Sequence, residues 1–448
     1  MKKTILLPTL LLCFLLWSVS AVELSAQEIF DLKHCIETGL QRNYETRITR
    51  NEQSVSDNNF SVGNAGYLPT LDLTAGYSGT LNRERDKLQI DGTIAENDHV
   101  SNSALNAGIA LNWTVFDGFG IQTNYKKLKE LQQAGELNTR LTMENFIAEL
   151  SAEYYNYVRQ NIRLHNLQRA LHLSRERLRI VEARYSIGSL SRLDLQQAKV
   201  DFNADSSRLM LQQETLFTSR TKLNRLMGIE EVENPLPVGD TAISVNALID
   251  RETVWQETEK NNTALLLAVK QKRLSELELK ATQSRNYPYL KLNAGYGFNQ
   301  NRLELSDYQY QNTLGFNGGV TLGYNLFNGF KDRTLRRNAK VGIENKELEY
   351  NNLLLNIKSD FANMYMAYQN NIGLTRLEQE NRQTAQENYE IAMERYKLGD
   401  LSGIELREAQ NSLQEADERL VTAQYNTKIC EVSLLQISGK LFELIDKN

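Results

Sequence analysis

Two stretches decide the fold: ARYSIGSLSRLDLQQ at residues 183–197 and ERYKLGDLSGIELRE at residues 394–408. At a constant offset of 211 positions, Arg184, Tyr185, Gly188, Leu190, Ser191, Leu195 and Ala198 return as Arg395, Tyr396, Gly399, Leu401, Ser402, Leu406 and Ala409. Each stretch lies between runs whose apolar residues step by three and four, the spacing of an amphipathic helix. Gly188 and Gly399 stand where a helix can end in the left-handed conformation, which costs glycine least. Ser191 and Ser402 are suitable N-caps, and Asp194 and Glu405, three positions on, complete capping boxes. The reading is two helical hairpins with the same tip.

Working outward, the repeat covers nearly the whole chain. A first structural repeat is expected over residues 27–234, a linker with Pro235 and Pro237 over 235–245, a second repeat over 246–440, and a tail over 441–448. Pro69 and Pro288 occupy corresponding places in the two repeats, and 70–234 and 289–448 hold no other proline, which leaves room for very long helices. Each repeat opens with a helix-like segment, about 31–62 and about 247–283.

Next come YLPTLDLTAGY at 67–77 and NYPYLKLNAGY at 286–296. After the proline, Leu71, Leu73, Ala75 and Tyr77 alternate with polar residues, as do Leu290, Leu292, Ala294 and Tyr296. Return strands carry Ala107, Ile109, Leu111, Trp113 and Val115 in one repeat, and Phe316, Val320, Leu322, Tyr324 and Leu326 in the other. β-Hairpins are therefore expected over 68–116 and 288–327, with polar loops over 79–103 and 299–312. Strands of about 10 residues with aromatics near their ends suit a tilted membrane β-strand, although the same alternation also fits a hairpin on a soluble core.

The strands end at Phe116-Asp117-Gly118-Phe119 and Phe327-Asn328-Gly329-Phe330, where Asp117 and Asn328 suit helix caps. From there to the first tip, about 67 residues at about 1.5 Å each make a helix of about 100 Å. The return helix, about 191–228, covers about 57 Å, and an opening helix supplies about 48 Å more. Two short helices laid end to end thus match one long one. The fold class is mostly α with a small β part, built from two internal repeats. Four strands are too few to close a membrane barrel, whose smallest examples have about eight, so closure requires copies of the chain.

The N-terminus reads as export machinery. Lys2 and Lys3 precede an apolar run from Ile5 to Trp17, followed by small-residue exits at Ala21 and Ala26, so residues 1–26 read as a secretory signal peptide. Cys13 has no small residue before it and does not suit a lipid anchor. Cys35 and Cys430 remain in a compartment that permits disulfides, and the spacing leaves their pairing open. The formal net charge of −5 becomes more acidic once the two lysines are removed, which speaks against a nucleic-acid partner.

Pro-x-Leu-x-Leu-x-Ala-Gly-Tyr, Phe-(Asp/Asn)-Gly-Phe and Tyr-x-x-Gly-x-x-Ser, all doubled and in this order, resemble the TolC-like outer-membrane efflux proteins over residues 28–440. The resemblance implies a homotrimer in the outer membrane of a Gram-negative bacterium. It would join a twelve-stranded β-barrel in lipid to a long α-helical barrel through the periplasm. It further implies a periplasmic membrane-fusion adaptor and an inner-membrane pump as partners, in efflux or type I secretion. Two positions depart from the family pattern. Its Asn-Pro is Asn43-Tyr44 and Asn262-Thr263 here, and the arginine two residues after the second tip glycine is Leu401.

By the same resemblance, Asp194, Tyr396, Glu405 and Glu408 are expected at the periplasmic aperture, where crowded carboxylates would raise one another's pKa. Asp194 and Glu405 have a local role as well, as caps near a helix dipole. Gly188, Leu190, Ser191, Gly399, Leu401 and Ser402 are expected to face the adaptor. Nothing points to an enzyme, a metal site or a cofactor. The four histidines include His165 and His172, two helical turns apart and too distant for one metal, and no phosphate-binding loop or nucleophile motif is present. A periplasmic coiled-coil scaffold without a pore is the alternative reading.

Overall fold

The computed structural model describes residues 30–87, 92, 94–240, 242–246, 249–304, 308 and 310–446; the signal-peptide assignment lies outside them. In chain order the elements are α1 (Leu32–Arg42), α2 (Tyr44–Asn59), α3 (Val62–Ala65), β1 (Thr70–Lys87), β2 (Ile94–Phe116), α4 (Gly120–Ser186) and α5 (Arg192–Leu226). The second repeat supplies α6 (Arg251–Asn261), α7 (Thr263–Ser284), β3 (Tyr289–Arg302), β4 (Gln311–Gly323), α8 (Lys331–Leu398), α9 (Gly403–Ile437) and the short α10 (Glu443–Asp446). By packing, the chain forms two compact units, and each repeat contributes to both.

Of the described residues, the helical unit comprises those within 30–47, 144–256 and 361–446. One of its cores gathers Ile36, Ile147, Leu150, Tyr154, Leu223 and Met227. The linker crosses this core: Tyr154 Oη donates to Asp240 Oδ2 at 2.7 Å and Tyr157 Oη to the Leu236 carbonyl at 3.2 Å. Phe30 pairs in parallel with Val238. Two phenols, costly to bury unpaired, are thereby satisfied. Cys35 and Cys430 are both buried and both free, and burial pushes the Cys35 thiol up to about 12.

The sheet unit comprises residues 48–143 and 257–360. Its four strands lie in the order β1-β2-β3-β4, all antiparallel, so β1 and β4 are the edges. The register puts apolar residues in rows across the sheet. Leu73, Ile109, Tyr296 and Phe316 form one row; Leu71, Leu111, Ala294 and Gly318 form the next. Their face is bare: Leu73 is 80% exposed and Phe316 75%. The alternate rows, Asp72-Ala110-Gly295-Asn317 and Thr74-Gly108-Gly297-Gly315, are small or polar.

Three sequence expectations change here. The 79–103 loop is largely strand: β1 runs to Lys87 and β2 starts at Ile94, giving strands of 18 and 23 residues in place of about 10. Backbone pairing and cross-strand ion pairs hold this ribbon, with Arg83 on Glu96 at 3.0 Å and on Asp98 at 2.5 Å, so it needs no alternating apolar face. A bulge between Thr114 and Phe116 takes Val115 out of its row, and Phe116 pairs with Leu290 instead. In the second repeat, the loop shortens to begin after Arg302, and β4 ends at Gly323, before Tyr324 and Leu326.

Each opening helix is also broken in two. Asn43 leaves helical geometry at φ −59° and ψ 130°, and its Oδ1 accepts from the Glu45 and Thr46 amides at 2.9 and 3.2 Å. Asn262 does likewise, accepting from the Leu265 amide at 3.1 Å. An asparagine that caps a new helix breaks the old one without a following proline.

At the strand-to-helix turns, Gly118 and Phe119 both have positive φ, as do Gly329 and Phe330. The flanking phenylalanines meet edge to face, Phe116 on Phe119 at 5.2 Å and Phe327 on Phe330 at 5.3 Å. Asp117 Oδ1 accepts from the Ile121 amide at 2.9 Å, whereas Asn328 Nδ2 donates to Asp332. A side chain at Gly118 would place its Cβ 2.3 Å from the Ser284 carbonyl oxygen, so this glycine answers to space as well as to backbone angle.

Candidate functional site: the two hairpin tips

Both tips are built alike. α4 ends in a left-handed Gly188 (φ +77°) and α8 in a left-handed Gly399 (φ +89°). The Ser189 amide reaches back to the Arg184 carbonyl at 2.9 Å, and the Asp400 amide to the Arg395 carbonyl at 3.0 Å, which satisfies carbonyls a helix end leaves free. The next helices start with complete capping boxes. Asp194 accepts from the Ser191 amide at 3.0 Å and hydroxyl at 2.7 Å, and its own amide donates to Ser191 Oγ at 3.2 Å. Ser402 and Glu405 repeat the three distances.

These bonds favour the ionised form of Asp194 and Glu405. Hydrogen bonds from the Ser191 hydroxyl and amide hold the Asp194 carboxyl below its ordinary range. The Ser402 amide and hydroxyl do the same for Glu405. Crowding was expected to raise such values; inside one chain the caps act in the opposite direction. Glu408 lies beyond the cap on the exposed surface of α9.

Tyr396 is placed differently from an exposed aperture residue. Its ring is 3% exposed, in a core with Val181, Leu195, Ala198, Leu406 and Ala409. Burial pushes its phenol up, opposed by the charges of Arg184 and Arg177 and aided by that of Asp194. Leu190 and Leu401, expected to face outward, are half buried against the same core. The apolar side chains that do stand out are Ile187 (78%) and Leu193 (76%) in the first tip, and Leu398 (84%) and Ile404 (77%) in the second. They correspond at the same offset of 211, a signal the repeat carries in similar rather than identical residues.

The sequence reading also missed how the hairpins are joined. Arg184 donates from Nη2 to the carbonyls of Tyr396 and Lys397, both at 3.0 Å, and its guanidinium lies 5.2 Å from the Tyr396 ring centre. Further along the helices, Arg407 grips Asp205 with two bonds, Nη1 to Oδ2 at 2.7 Å and Nη2 to Oδ1 at 2.9 Å. Ser174 donates to the same carboxylate, and Gln410 Nε2 reaches Ser174 Oγ at 3.0 Å and the Ala170 carbonyl at 3.1 Å. Burial raises the Asp205 pKa, but bonds from Arg407 and Ser174 outweigh it and hold the carboxyl below its ordinary range.

A sheet with one bare apolar face and one polar face, in a chain whose long helices end in matched hairpin tips, has the build of an outer-membrane channel subunit. Among the described residues no helix is long and apolar enough to cross a membrane. The family model described as outer membrane efflux protein matches residues 36–229 and 254–440, and the chain belongs to that family. It is 22% identical over 391 residues to the outer membrane protein TolC of Vibrio cholerae, covering 84% of this chain and 83% of that one.

Solved structures share the fold. A membrane protein from Pseudomonas aeruginosa superposes with a TM-score of 0.76 at 17% identity, covering 92% of this chain and 91% of that one. The CmeC outer membrane channel of Campylobacter jejuni gives 0.74 at 16%, covering 92% and 86%. The open MtrE channel of Neisseria gonorrhoeae gives 0.71 at 16%, covering 92% and 89%.

Proposed function

We propose that the chain is the exit duct of a tripartite efflux or type I secretion assembly, and that it works as a homotrimer. The sheet carries the trimer reading: its edge strands β1 and β4 would leave backbone groups unpaired in lipid, where each such group costs several kcal/mol. Three copies of the four-stranded sheet make a twelve-stranded barrel, with the apolar rows facing lipid and the threonine, asparagine and glycine rows lining the duct.

The tips are the proposed docking surface for a periplasmic adaptor, itself bound to an inner-membrane pump. The matched apolar pairs Ile187/Leu193 and Leu398/Ile404 support this, because exposed apolar side chains at corresponding places suit a partner that reads both tips. Gly188, Ser191, Gly399 and Ser402 shape the turns that present them. Glu405 and Glu408, with Asp194 from the first hairpin, are the proposed carboxylates of the aperture, where repeated around a threefold axis they would favour cations over anions.

Mass measurement of the protein extracted in mild detergent tests the assembly. The expected species is a trimer of the processed chain. A membrane-inserted monomer that stays monomeric on dilution would overturn the proposal.

A further inference from the structure

A strongly basic stretch opens α8. KDRTLRRNAK at residues 331–340 sets Lys331, Arg333, Arg336, Arg337 and Lys340 against the single acid Asp332, in a chain whose formal net charge is −5. Helix starts favour acids, because that end of the helix dipole is positive, so Lys331 and Arg333 in the first turn do not serve the helix. α4 opens in the same way, with Lys126, Lys127 and Lys129 and no acid before Glu130. Phe116, Leu290 and Leu322 pair across one end of the sheet, so β2 and β4 lead into α4 and α8 beside that end.

Most of these cations have nothing to neutralise them. Lys126, Lys129, Lys331, Arg333, Arg337 and Lys340 are exposed, and none has an ion-pair partner among the described residues. Farther along the same helices cations are matched: Lys346 lies 2.7 Å from Glu349, and Lys270 2.9 Å from Glu130. The unmatched cations adjoin bare aromatic rings at the two strand-to-helix turns. Phe119 is 56% exposed, Phe327 71% and Phe330 63%. An apolar band that ends in exposed aromatics and then in cations is the sequence of layers at a membrane–water interface.

We infer that the opening turns of α4 and α8 form a basic collar that binds the phosphates of anionic glycerophospholipids in the periplasmic leaflet. The inference rests on the reading that the apolar rows of the sheet meet lipid. The dimensions agree with it. With α8 along the membrane normal, Arg333 lies about 3 Å and Arg337 about 9 Å past the helix start. The headgroup layer on each side of a bilayer is about 5–8 Å deep, and at physiological salt its charge is felt for about 8 Å beyond. Arg333, Arg337 and Lys340 recur at steps of four and three, on one face of α8, so they can meet neighbouring headgroups together.

The test uses the processed full-length protein reconstituted in phosphatidylcholine vesicles, with its assembled mass checked in parallel. Spin-labelled phosphatidylglycerol and phosphatidylcholine report how strongly each lipid associates with it. Phosphatidylglycerol should be preferred by about three-fold or more at low salt, and the preference should fall as salt rises. Arg333→Gln with Arg337→Gln should lower the preference by about half. Lys358→Gln, an exposed cation about 40 Å from the start of α8, should leave it unchanged. Equal association of the two lipids with inserted parent protein would overturn the collar and leave the duct reading standing. So would an assembled double variant with the parent's preference, or displacement of phosphatidylglycerol by inorganic phosphate at constant ionic strength. If the double variant does not assemble, Lys126→Gln with Lys129→Gln decides on the same criterion. A parent protein that does not insert into vesicles would overturn the duct reading, and the collar with it.

Discussion

The two hairpin tips are alike in backbone and unlike in partners. Both end a helix on a left-handed glycine, both begin the next with a serine and an acid three residues on, and both expose one apolar pair. The contacts between hairpins differ: Arg184 reaches the other hairpin where Arg395 stays on its own, and Arg407 and Asp205 stand against Gln196 and Ala416. Duplication preserves what a tip needs in order to fold. It does not preserve what joins one hairpin to its neighbour, because the two hairpins of a chain meet through different faces.

The sharpest way to break this comparison is to remove one charge from the buried pair. Arg407→Met should destabilise the protein by up to about 3–5 kcal/mol, because buried Asp205 then keeps only the Ser174 hydroxyl and a longer contact to Arg208 at 3.4 Å. The matched Gln196→Met should stay within about 0.5 kcal/mol, as surface changes usually do. Chemical denaturation of the two variants, side by side, checks it; equal effects would remove the asymmetry.

A smaller effect tests what the tips share. Gly188→Ala and Gly399→Ala should each cost about 1–2 kcal/mol, the penalty of a left-handed conformation for a residue with a Cβ. Neither site has a heavy atom within 4 Å of an added Cβ, so no steric term separates them. Matching losses in thermal unfolding are expected. A clear excess at Gly399 would mean that the second turn bears a load its geometry does not reveal.

The smallest effect concerns the caps. Ser191→Ala and Ser402→Ala should each cost about 1 kcal/mol, since each removes the acceptor for an amide and a donor to the capping acid. The two variants should again agree, now within the error of a denaturation curve.

Much of this was legible in the residues, for reasons that differ from place to place. Pro69 and Pro288 mark strand starts because proline fixes φ and lacks an amide hydrogen, and β1 and β3 begin one residue later. Gly188-to-Asp194 and Gly399-to-Glu405 spell out a turn and a cap through local bonds, so sequence suffices there. The ribbon beyond Gly79 was not legible because alternation signals a buried or lipid-facing side, and strands paired to each other in the open carry no such signal. The breaks at Asn43 and Asn262 leave no proline in the sequence to mark them, because the asparagine side chain alone provides the cap. Asp205 and Arg407 were invisible for a further reason. Helical periodicity assigns polar residues outward, and a buried ion pair violates that pattern; the trace it leaves is a mismatch between repeats, acid against alanine and arginine against glutamine.

The central claim is that the bare sheet face meets lipid. Leu73 stands at the β1 end of an apolar row on that face, and Thr74 is its neighbour on the polar side. Lysine at each position, followed by outer-membrane fractionation and refolding into lipid vesicles, measures the claim directly. Leu73→Lys should lose about 2–4 kcal/mol of insertion free energy at mid-bilayer, whereas Thr74→Lys should insert close to normally. Equal insertion of the two variants would contradict a membrane barrel and return the sheet to a water-soluble role.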